Sequence, residues 1–205
     1  RWLCPIRPDI TYTGKELSRK LVAPTRESWL RAKHLLKYLK ATSDYVLEIR
    51  PRYQLGQSDT NSVDVETYVD SDWAGCLETR KSTSGGLLKW GSHILKAWSV
   101  TQNVIATSSG EAEFYAMVKT ASQAFGMQVM MNDMGIHNQV KIVTDATAAK
   151  GMAHRKGLGS VRHLEVGKLW VQDKIAKGEI TVEKVWGGEG NIADALTKYV
   201  DGKAL

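Results

Sequence analysis

Cysteine is scarce in this sequence, and long apolar runs are missing from it. Cys4 and Cys76 are the two cysteines among 205 residues, and neither stands at a zinc-site spacing from the other or from the five histidines. No apolar run approaches the roughly 18 residues that a membrane-spanning helix requires. These absences argue against a zinc site and a membrane partner, and they favour a reducing intracellular compartment.

The net positive charge of the chain is confined to its beginning. Residues 1–60 hold 12 Lys and Arg against 6 Asp and Glu, whereas residues 61–205 hold 16 of each, so the first segment carries the whole net charge of +6. A polyanionic partner would be attracted to this segment, although a solvated basic face is the simpler alternative. The first residues resemble neither a signal peptide nor a natural initiator, and we expect the chain to be a piece of a longer polypeptide.

The apolar periodicity divides the chain into two sections. In residues 1–50, Pro24 and Thr25 precede a basic amphipathic helix, and a strand-like stretch follows over residues 45–49. Residues 51–63 are rich in polar residues, as a linker is. Residues 64–200 follow the order β-β-β-α-β-α-α-β-α, which predicts an α/β domain with a mixed five-stranded sheet and flanking helices. Residues 201–205 form a tail.

The patterns also place the individual elements of the second section. Strands are expected over residues 65–73, 86–90, 94–100, 140–144 and 180–186, and helices over residues 108–131, 146–153 and 161–176 and from residue 191. We expect four tryptophans in the core, namely Trp29, Trp90, Trp98 and Trp170, and two at its rim, Trp73 and Trp186.

Two carboxylates lie at the end of the first predicted strand. Asp is depleted in strands because its side chain competes with the backbone ladder. Asp70 and Asp72 point to the same side of the strand, where like charges are costly unless a cation lies beside them. The alternative is a strand end that turns into a loop.

A third carboxylate lies in the first turn of the longest predicted helix. Ser108 and Glu111 fit a capping box, which gives Glu111 a structural task. Glu113 lies about 200° away around the helix axis, on the stripe of small and apolar residues that should pack on the sheet. A carboxylate there is costly unless it is paired or binds a metal. The alternative is a position at the rim, within reach of water.

Asp145 and Asp194 complete a set of four acidic positions. Asp145 ends an apolar strand, where it could be a helix N-cap, and Asp194 could favour the dipole of a helix that Asn191 caps. Asp70, Glu113, Asp145 and Asp194 are separated by 43, 32 and 49 residues, and strand and helix ends at one sheet edge can bring them together. Oxygen ligands suit Mg²⁺ or Mn²⁺, and two ions roughly 4 Å apart would support phosphodiester hydrolysis.

Several motifs in this order resemble the ribonuclease H domain of copia-type LTR retrotransposon polyproteins. The matching segments cover most of residues 64–200, and they are VDSDWAG (69–75), RKSTSG (80–85), IATSSGEAEF (105–114), RHLE (162–165) and IADALTK (192–198). Residues 1–50 resemble the tail of the reverse transcriptase that precedes this domain in such polyproteins.

The resemblance implies a fold, a reaction and a set of partners. Asp70, Glu113, Asp145 and Asp194 map onto the family's metal-binding carboxylates, which hold two Mg²⁺ ions, with Mn²⁺ as a substitute. The expected reaction is hydrolysis of the RNA strand of an RNA–DNA hybrid, leaving 5′-phosphate and 3′-hydroxyl ends, and recognition depends on the 2′-hydroxyl groups. The expected partners are the hybrid and the reverse transcriptase portion of the same polyprotein, in the cytoplasm, a virus-like particle or the nucleus.

One feature of the related cellular and retroviral enzymes is missing here. Those enzymes carry a mobile histidine in the loop before the last helix, whereas residues 185–190 contain none. Glu189 could substitute in part, or His163 could approach from elsewhere. Copia-type sequences generally lack this histidine too, so its absence is a trait of the family.

Two segments are candidates for substrate binding. The glycine-rich basic stretch that includes Lys156, Arg162 and His163 could cradle phosphates, or it could be a solvated loop. The other candidates are the hydroxyl residues Ser82, Thr83 and Ser84. They could donate hydrogen bonds to phosphate or sugar oxygens, or they could be the entry to the second strand.

Two other functions are compatible with the same fold. The first is a catalytically inactive module that binds nucleic acid, and the second is an integrase-like nuclease or strand-transfer enzyme. Integrase-like proteins usually use three carboxylates at a different spacing. A Ser-His-Asp hydrolase is disfavoured because the sequence contains no Gly-x-Ser-x-Gly pattern.

Overall fold

The structure is a computed structural model, and it describes residues 2–48, 65–159, 164, 166–185 and 190–199. Five α-helices are described: α1 (Thr11–Arg19), α2 (Arg26–Ala41), α3 (Ser109–Asp133), α4 (Thr147–His154) and α5 (Trp170–Ala176). Short 3₁₀ helices span Pro8–Ile10, Val166–Lys168 and Ile192–Leu196. No helix in the described part of the chain is both long enough and apolar enough to cross a membrane.

A five-stranded mixed sheet forms the centre of the fold. Its strands are β1 (Val65–Asp72), β2 (Thr83–Trp90), β3 (His93–Thr101), β4 (Val140–Thr144) and β5 (Ile180–Lys184). Their order across the sheet is β3-β2-β1-β4-β5, with antiparallel β1/β2 and β2/β3 pairs and parallel β1/β4 and β4/β5 pairs. The predicted α/β class, with a mixed five-stranded sheet and flanking helices, is confirmed.

The core lies between the sheet and helix α3. Alternate residues of β1, Val65, Thr67 and Val69, are fully buried on one face, as the two-residue period of a strand dictates. Helix α3 contributes Phe114 and Met117 to the same core. Because β1 is the central strand and α3 packs against it, residues at the end of β1 and in the first turn of α3 lie close together.

Several bounds differ from the prediction. Strand β2 begins at Thr83 rather than residue 86, because Gly85 and Gly86 pair with β1 despite the low strand propensity of glycine. The predicted helix over 161–176 is α5, which begins at Trp170 after a separate 3₁₀ turn, although residues 160–163 and 165 lie outside the described part. The last helix is a 3₁₀ helix, and β5 ends two residues early.

Other expectations for the first section and for the tryptophans were partly wrong. Residues 45–48 form no strand; Tyr45, Val46 and Leu47 instead line an apolar cleft. Trp29 is 59% exposed because α2 buries none of its residues, whereas Trp98 is buried as expected. Trp90 and Trp170 are half-buried against the core, and Trp73 is exposed at the rim. Trp186, the linker over 51–63 and the tail over 201–205 lie outside the described residues.

The N-terminal section packs against the sheet through helix α1. Lys15 is buried and its Nζ donates a hydrogen bond to Thr83 Oγ1 at 2.7 Å. Arg19 reaches the Sγ of Cys76 at 2.8 Å, and Lys20 pairs with Glu78 at 2.5 Å. Residues of α1 therefore hold the start of β2 and the loop that precedes it.

Candidate metal centre

Asp70 lies near the end of the central strand β1, where it is 7% exposed. The hydroxyl of Thr197 donates a hydrogen bond to its Oδ2. Gly85 lies opposite Asp70 in the β1/β2 pair, and a Cβ at Gly85 would lie 2.6 Å from Thr197 Cγ2. The absence of a side chain at Gly85 therefore allows the C-terminal 3₁₀ helix and the turn after it to approach the sheet closely enough for this contact.

Asp145 and Asp194 come from two other elements to the same place. One carboxylate oxygen each of Asp70, Asp145 and Asp194 lies within 4.8 Å of the others. Asp145 follows β4 directly but does not cap α4, whose N-cap is Ala146 with no side-chain hydrogen bond. The N-cap alternative for Asp145 is therefore wrong.

The 3₁₀ helix that carries Asp194 is fixed to the central strand. Asn191 caps it, accepting a hydrogen bond from the amide of Ala193 at 3.2 Å, as the sequence predicted. The amide nitrogen of the Asn191 side chain donates to the carbonyl of Val69 at 3.0 Å. Asp194 lies in the first turn, as predicted, and its Oδ2 forms an ion pair with Lys198 Nζ at 2.7 Å.

Glu113 lies beside these three aspartates on helix α3. Ser108 caps the helix as predicted, whereas the Glu111 carboxylate accepts a hydrogen bond from the backbone amide of Thr107 instead of closing the expected capping box. Glu113 is 9% exposed, so the alternative of a rim position is wrong. Its Oε1 accepts a hydrogen bond from the amide of Ser71 at 3.1 Å, and its Oε2 is buried without a hydrogen-bond partner among the described residues.

The site has an excess of negative charge in a poorly solvated position. Burial, together with the nearby charges of Asp194 and Asp145, raises the pKa of Asp70 to about 6, although the hydrogen bond from Thr197 lowers it. Burial and the charge of Asp70 raise the pKa of Glu113 to about 8. Lys198 opposes this charge, and its hydrogen bond to Asp194 raises the pKa of the Lys198 ammonium group.

These residues fit a divalent cation. Three carboxylates converge, and a fourth beside them keeps an oxygen without a partner, which is costly in a buried position. The donors are oxygens without imidazole or thiolate, the set that Mg²⁺ and Mn²⁺ prefer. A bound cation would favour the charged forms of Asp70 and Glu113 that burial now disfavours.

The other predicted substrate residues do not all lie at the surface. Ser82, Thr83 and Ser84 are buried, and their hydroxyl oxygens accept hydrogen bonds from Ala74, Lys15 and Gln102, respectively. Thr83 is the first residue of β2, which agrees with the alternative of a strand entry. Lys156 is exposed after α4. Arg162 and His163 lie outside the described residues, as does Glu189.

Sequence reasoning alone missed four structural features of the centre. It assigned no task to Gly85, Thr197 or Lys198, although the last two stand three and four residues after Asp194, a spacing that places side chains on one helical face. It also placed Asp72 on the same side of the strand as Asp70 without assigning it a partner. The carboxylate of Asp72 instead accepts a hydrogen bond from the amide of Thr83, its partner in the β1/β2 pair.

Comparisons with known proteins show what the chain is similar to. It is 29% identical over 95% of its length to the retrovirus-related Pol polyprotein from transposon TNT 1-94 of Nicotiana tabacum, of which it spans 14%. It is 32% identical over 60% of its length to secreted RxLR effector protein 161 of Plasmopara viticola, of which it covers 81%. Among solved structures it resembles the N-terminal RNase H domain of rv2228c from Mycobacterium tuberculosis, with 18% identity, a TM-score of 0.47, and coverage of 66% of this chain and 91% of that one. No family model matches. Its homologues include Pol polyproteins from copia-type transposons, which match 95% or more of this chain, while the chain spans only 13% to 14% of their length.

Proposed function

We propose that this segment is a divalent-metal-dependent ribonuclease H, which hydrolyses the RNA strand of RNA–DNA hybrids during reverse transcription of the transposon. The observation that carries the proposal is the convergence of Asp70, Asp145 and Asp194 within 4.8 Å, beside the buried carboxylate of Glu113. The relationship to transposon Pol polyproteins supports the same function, since a retrotransposon must remove its RNA after copying it.

Each carboxylate has a distinct position in the proposed site. Asp70, Asp145 and Asp194 would hold the cations from three elements, and Glu113 would complete the inner side with its unpartnered Oε2. Thr197 orients Asp70, and Ser71 orients Glu113. When bound, two divalent ions would stabilise the charges on the attacking and leaving oxygens of a phosphodiester displacement.

Substrate contacts are proposed for the basic stretch that follows α4. Lys156, with Arg162 and His163, would neutralise phosphates of the hybrid. The hydroxyl groups of Ser82, Thr83 and Ser84 are already engaged inside the protein, so these residues would act by holding the start of β2 rather than by donating to the substrate. Residues 1–50 would be the tail of the preceding reverse transcriptase, and that enzyme would deliver the hybrid.

A cleavage assay tests this function. The protein is incubated with an RNA–DNA hybrid labelled on its RNA strand, in Mg²⁺ and in chelator, next to the same RNA in an RNA–RNA duplex. We expect the protein to cleave the hybrid but not the RNA–RNA duplex, and to do so in Mg²⁺ but not in chelator. The products should carry 5′-phosphates, and Asp70→Asn should not cleave. Cleavage that persists in chelator would contradict the metal centre. Tight hybrid binding without cleavage, by this chain and by a longer polyprotein that includes it, would identify an inactive binding module instead.

A further inference from the structure

A cleft of about 510 Å³ lies between helices α1 and α2 and the residues that follow the C-terminal 3₁₀ helix. This volume is within the range of small-ligand sites. Its lining includes basic, aromatic and other polar side chains, and these are Arg31, His34, Lys198, Tyr12, Tyr38, Tyr199, Asp9 and Thr13. The proposed metal centre does not use this cleft.

The cleft face of α2 is a continuous stripe along the helix. Arg31, His34, Leu35 and Tyr38 stand at positions i, i+3, i+4 and i+7, which share one face of an α-helix. Arg26 is five residues before Arg31, about 140° away around the axis, and it does not line the cleft. Helix α2 therefore carries Arg31 on the face that lines the cleft and Arg26 on a face that does not.

The guanidinium group of Arg31 is available to an anion in the cleft. The acidic residue of the cleft, Asp9, is already engaged by Arg7 at 2.6 Å and by the Tyr38 hydroxyl at 2.8 Å. Arg31 pairs with Glu27, but their side chains are 51% and 71% exposed, and exposed pairs of this kind contribute little stability. The guanidinium of Arg31 also donates to the Tyr199 hydroxyl at 3.3 Å, which holds it over the cleft.

The cleft adjoins the carboxylate cluster through one residue. Lys198 lines the cleft, and its Nζ lies 2.7 Å from Asp194 Oδ2. Asp194 in turn shares the cluster with Asp70 and Asp145. A polynucleotide with one phosphate at the cluster would therefore extend a neighbouring phosphate toward the cleft.

We propose that this cleft binds a backbone phosphate of the polynucleotide substrate, next to the bond that is cleaved at the carboxylate cluster, through Arg31, His34 and Lys198. The planar guanidinium of Arg31 suits bidentate contact with phosphate oxygens. Tyrosine hydroxyl groups, which Tyr12 and Tyr199 supply here, are also common phosphate donors. The inference rests on the proposed nuclease function, because it takes the substrate to be a polynucleotide.

The experiment compares Arg31→Ala with Arg26→Ala, which removes the same charge from the same helix outside the cleft. Binding of an RNA–DNA hybrid is measured by fluorescence anisotropy over a series of salt concentrations in chelator, and kcat and KM are measured in Mg²⁺. For Arg31→Ala we expect a five- to tenfold higher KM with kcat little changed, and a slope of log K against log salt that is smaller by about 1. Arg31→Lys should recover part of the affinity, and Arg26→Ala should match the parent protein.

The outcomes separate the cleft from the proposed function. If the parent protein cleaves the hybrid but Arg31→Ala and Arg26→Ala have equal KM values and salt slopes, the proposed role of the cleft is overturned and the nuclease function is not. Binding that depends on Arg31 without any cleavage would support the cleft and contradict the nuclease function. A parent protein that binds no polynucleotide would overturn both. Thermal unfolding of each variant shows that the fold is retained, and a lower affinity of Arg31→Ala counts only at an unchanged unfolding temperature.

Discussion

The four carboxylates of the candidate centre form an inner pair and an outer pair. The inner pair, Asp70 and Glu113, is 7% and 9% exposed, and burial raises the pKa of both groups. The outer pair, Asp145 and Asp194, is half-buried, and Asp194 already has an ammonium group beside it. The inner pair thus depends on a further cation to carry its charge, whereas the outer pair lies where a cation from solvent would first arrive.

Replacement of an inner or an outer aspartate by asparagine should show the largest difference between the two pairs. Asp70→Asn is expected to lower hybrid cleavage by roughly 10³-fold or more, because about 4 kcal/mol of transition-state stabilisation depends on intact metal ligation. It should also raise the Tm of the metal-free protein at pH 8, because the amide removes a repelled, buried charge. Asp194→Asn should lower cleavage as well, but without a gain in Tm, since it loses the ion pair with Lys198. Calorimetry and cleavage rates check this; equal Tm shifts at the two positions would contradict the distinction.

The stability of the metal-free protein should fall as the pH rises. The pKa of Asp70 rises from its ordinary value of 3.8 to about 6 on folding, so the folded state binds this proton more tightly than the unfolded state does. Stability is therefore fully present below pH 3.8 and is lost as the pH passes through 6, by about 3 kcal/mol for this group. Glu113, with a pKa raised from 4.5 to about 8, extends the loss toward pH 8.

Urea unfolding between pH 4 and pH 9, with and without Mg²⁺, measures this effect. Saturating Mg²⁺ should restore stability at high pH, because it binds the folded state alone. The Glu113→Gln variant is the control, since it should lose the part of the pH dependence that lies above pH 6. A pH profile that is flat for the metal-free parent protein would show that the inner pair is not buried as described.

Two glycine substitutions should test how the outer pair is held against the inner one. Gly85→Ala places a Cβ 2.6 Å from Thr197 Cγ2 and 2.9 Å from Leu196 Cβ, and we expect a loss of about 1–3 kcal/mol from this overpacking. The turn that holds Thr197 against Asp70 should shift with it and lower metal affinity. Gly126→Ala is the matched change, because Gly126 lies within α3 with open space around it, and it should gain up to about 1 kcal/mol. Denaturant unfolding and Mn²⁺ titration report both; a Gly85→Ala protein as stable as the parent would count against the close approach.

Removal of the Lys198 ammonium group, which lies beside Asp194 of the outer pair, should have the smallest effect. Lys198→Ala is expected to tighten Mn²⁺ binding by about two- to fivefold, since an exposed ion pair of this kind contributes up to about 1 kcal/mol and competes with the cation. Isothermal titration calorimetry with Mn²⁺ measures the change, with Lys174→Ala as the control, because Lys174 pairs with Glu179 away from the site. Weaker Mn²⁺ binding by Lys198→Ala would mean that Lys198 orients Asp194 rather than competing for it.

The fold was largely predictable from the sequence because most elements carry a strong local signal. The five residues of β4 were placed correctly from the apolar side chains of Val140, Ile142 and Val143, and the N-cap of α3 follows from Ser108. The segment over 45–48 was misjudged because its apolar residues suggested a buried strand, whereas Tyr45 and Val46 are 56% and 80% exposed at the edge of a cleft. Local pattern cannot distinguish a paired strand from an apolar segment that stays at the surface.

The candidate site was predictable only in part. The four acidic positions follow from their places at strand and helix ends, and their role as metal ligands stays a prediction. The burial of Ser82, Thr83 and Ser84 could not be foreseen, because it depends on the docking of Lys15 from a distant helix. The role of Gly85 depends equally on a turn that lies over 100 residues later in the chain.

The contact between Thr197 and Asp70 joins residues 127 positions apart, and this has a consequence for the order of synthesis. A nascent chain that has emerged from the ribosome as far as β5 already contains Asp70, Glu113 and Asp145, but neither Asp194 nor the hydroxyl group that orients Asp70. The sheet can therefore pair during translation while its cation site is still incomplete. Under the proposed function, cleavage activity would therefore begin only after the last strand and the short 3₁₀ helix have been translated.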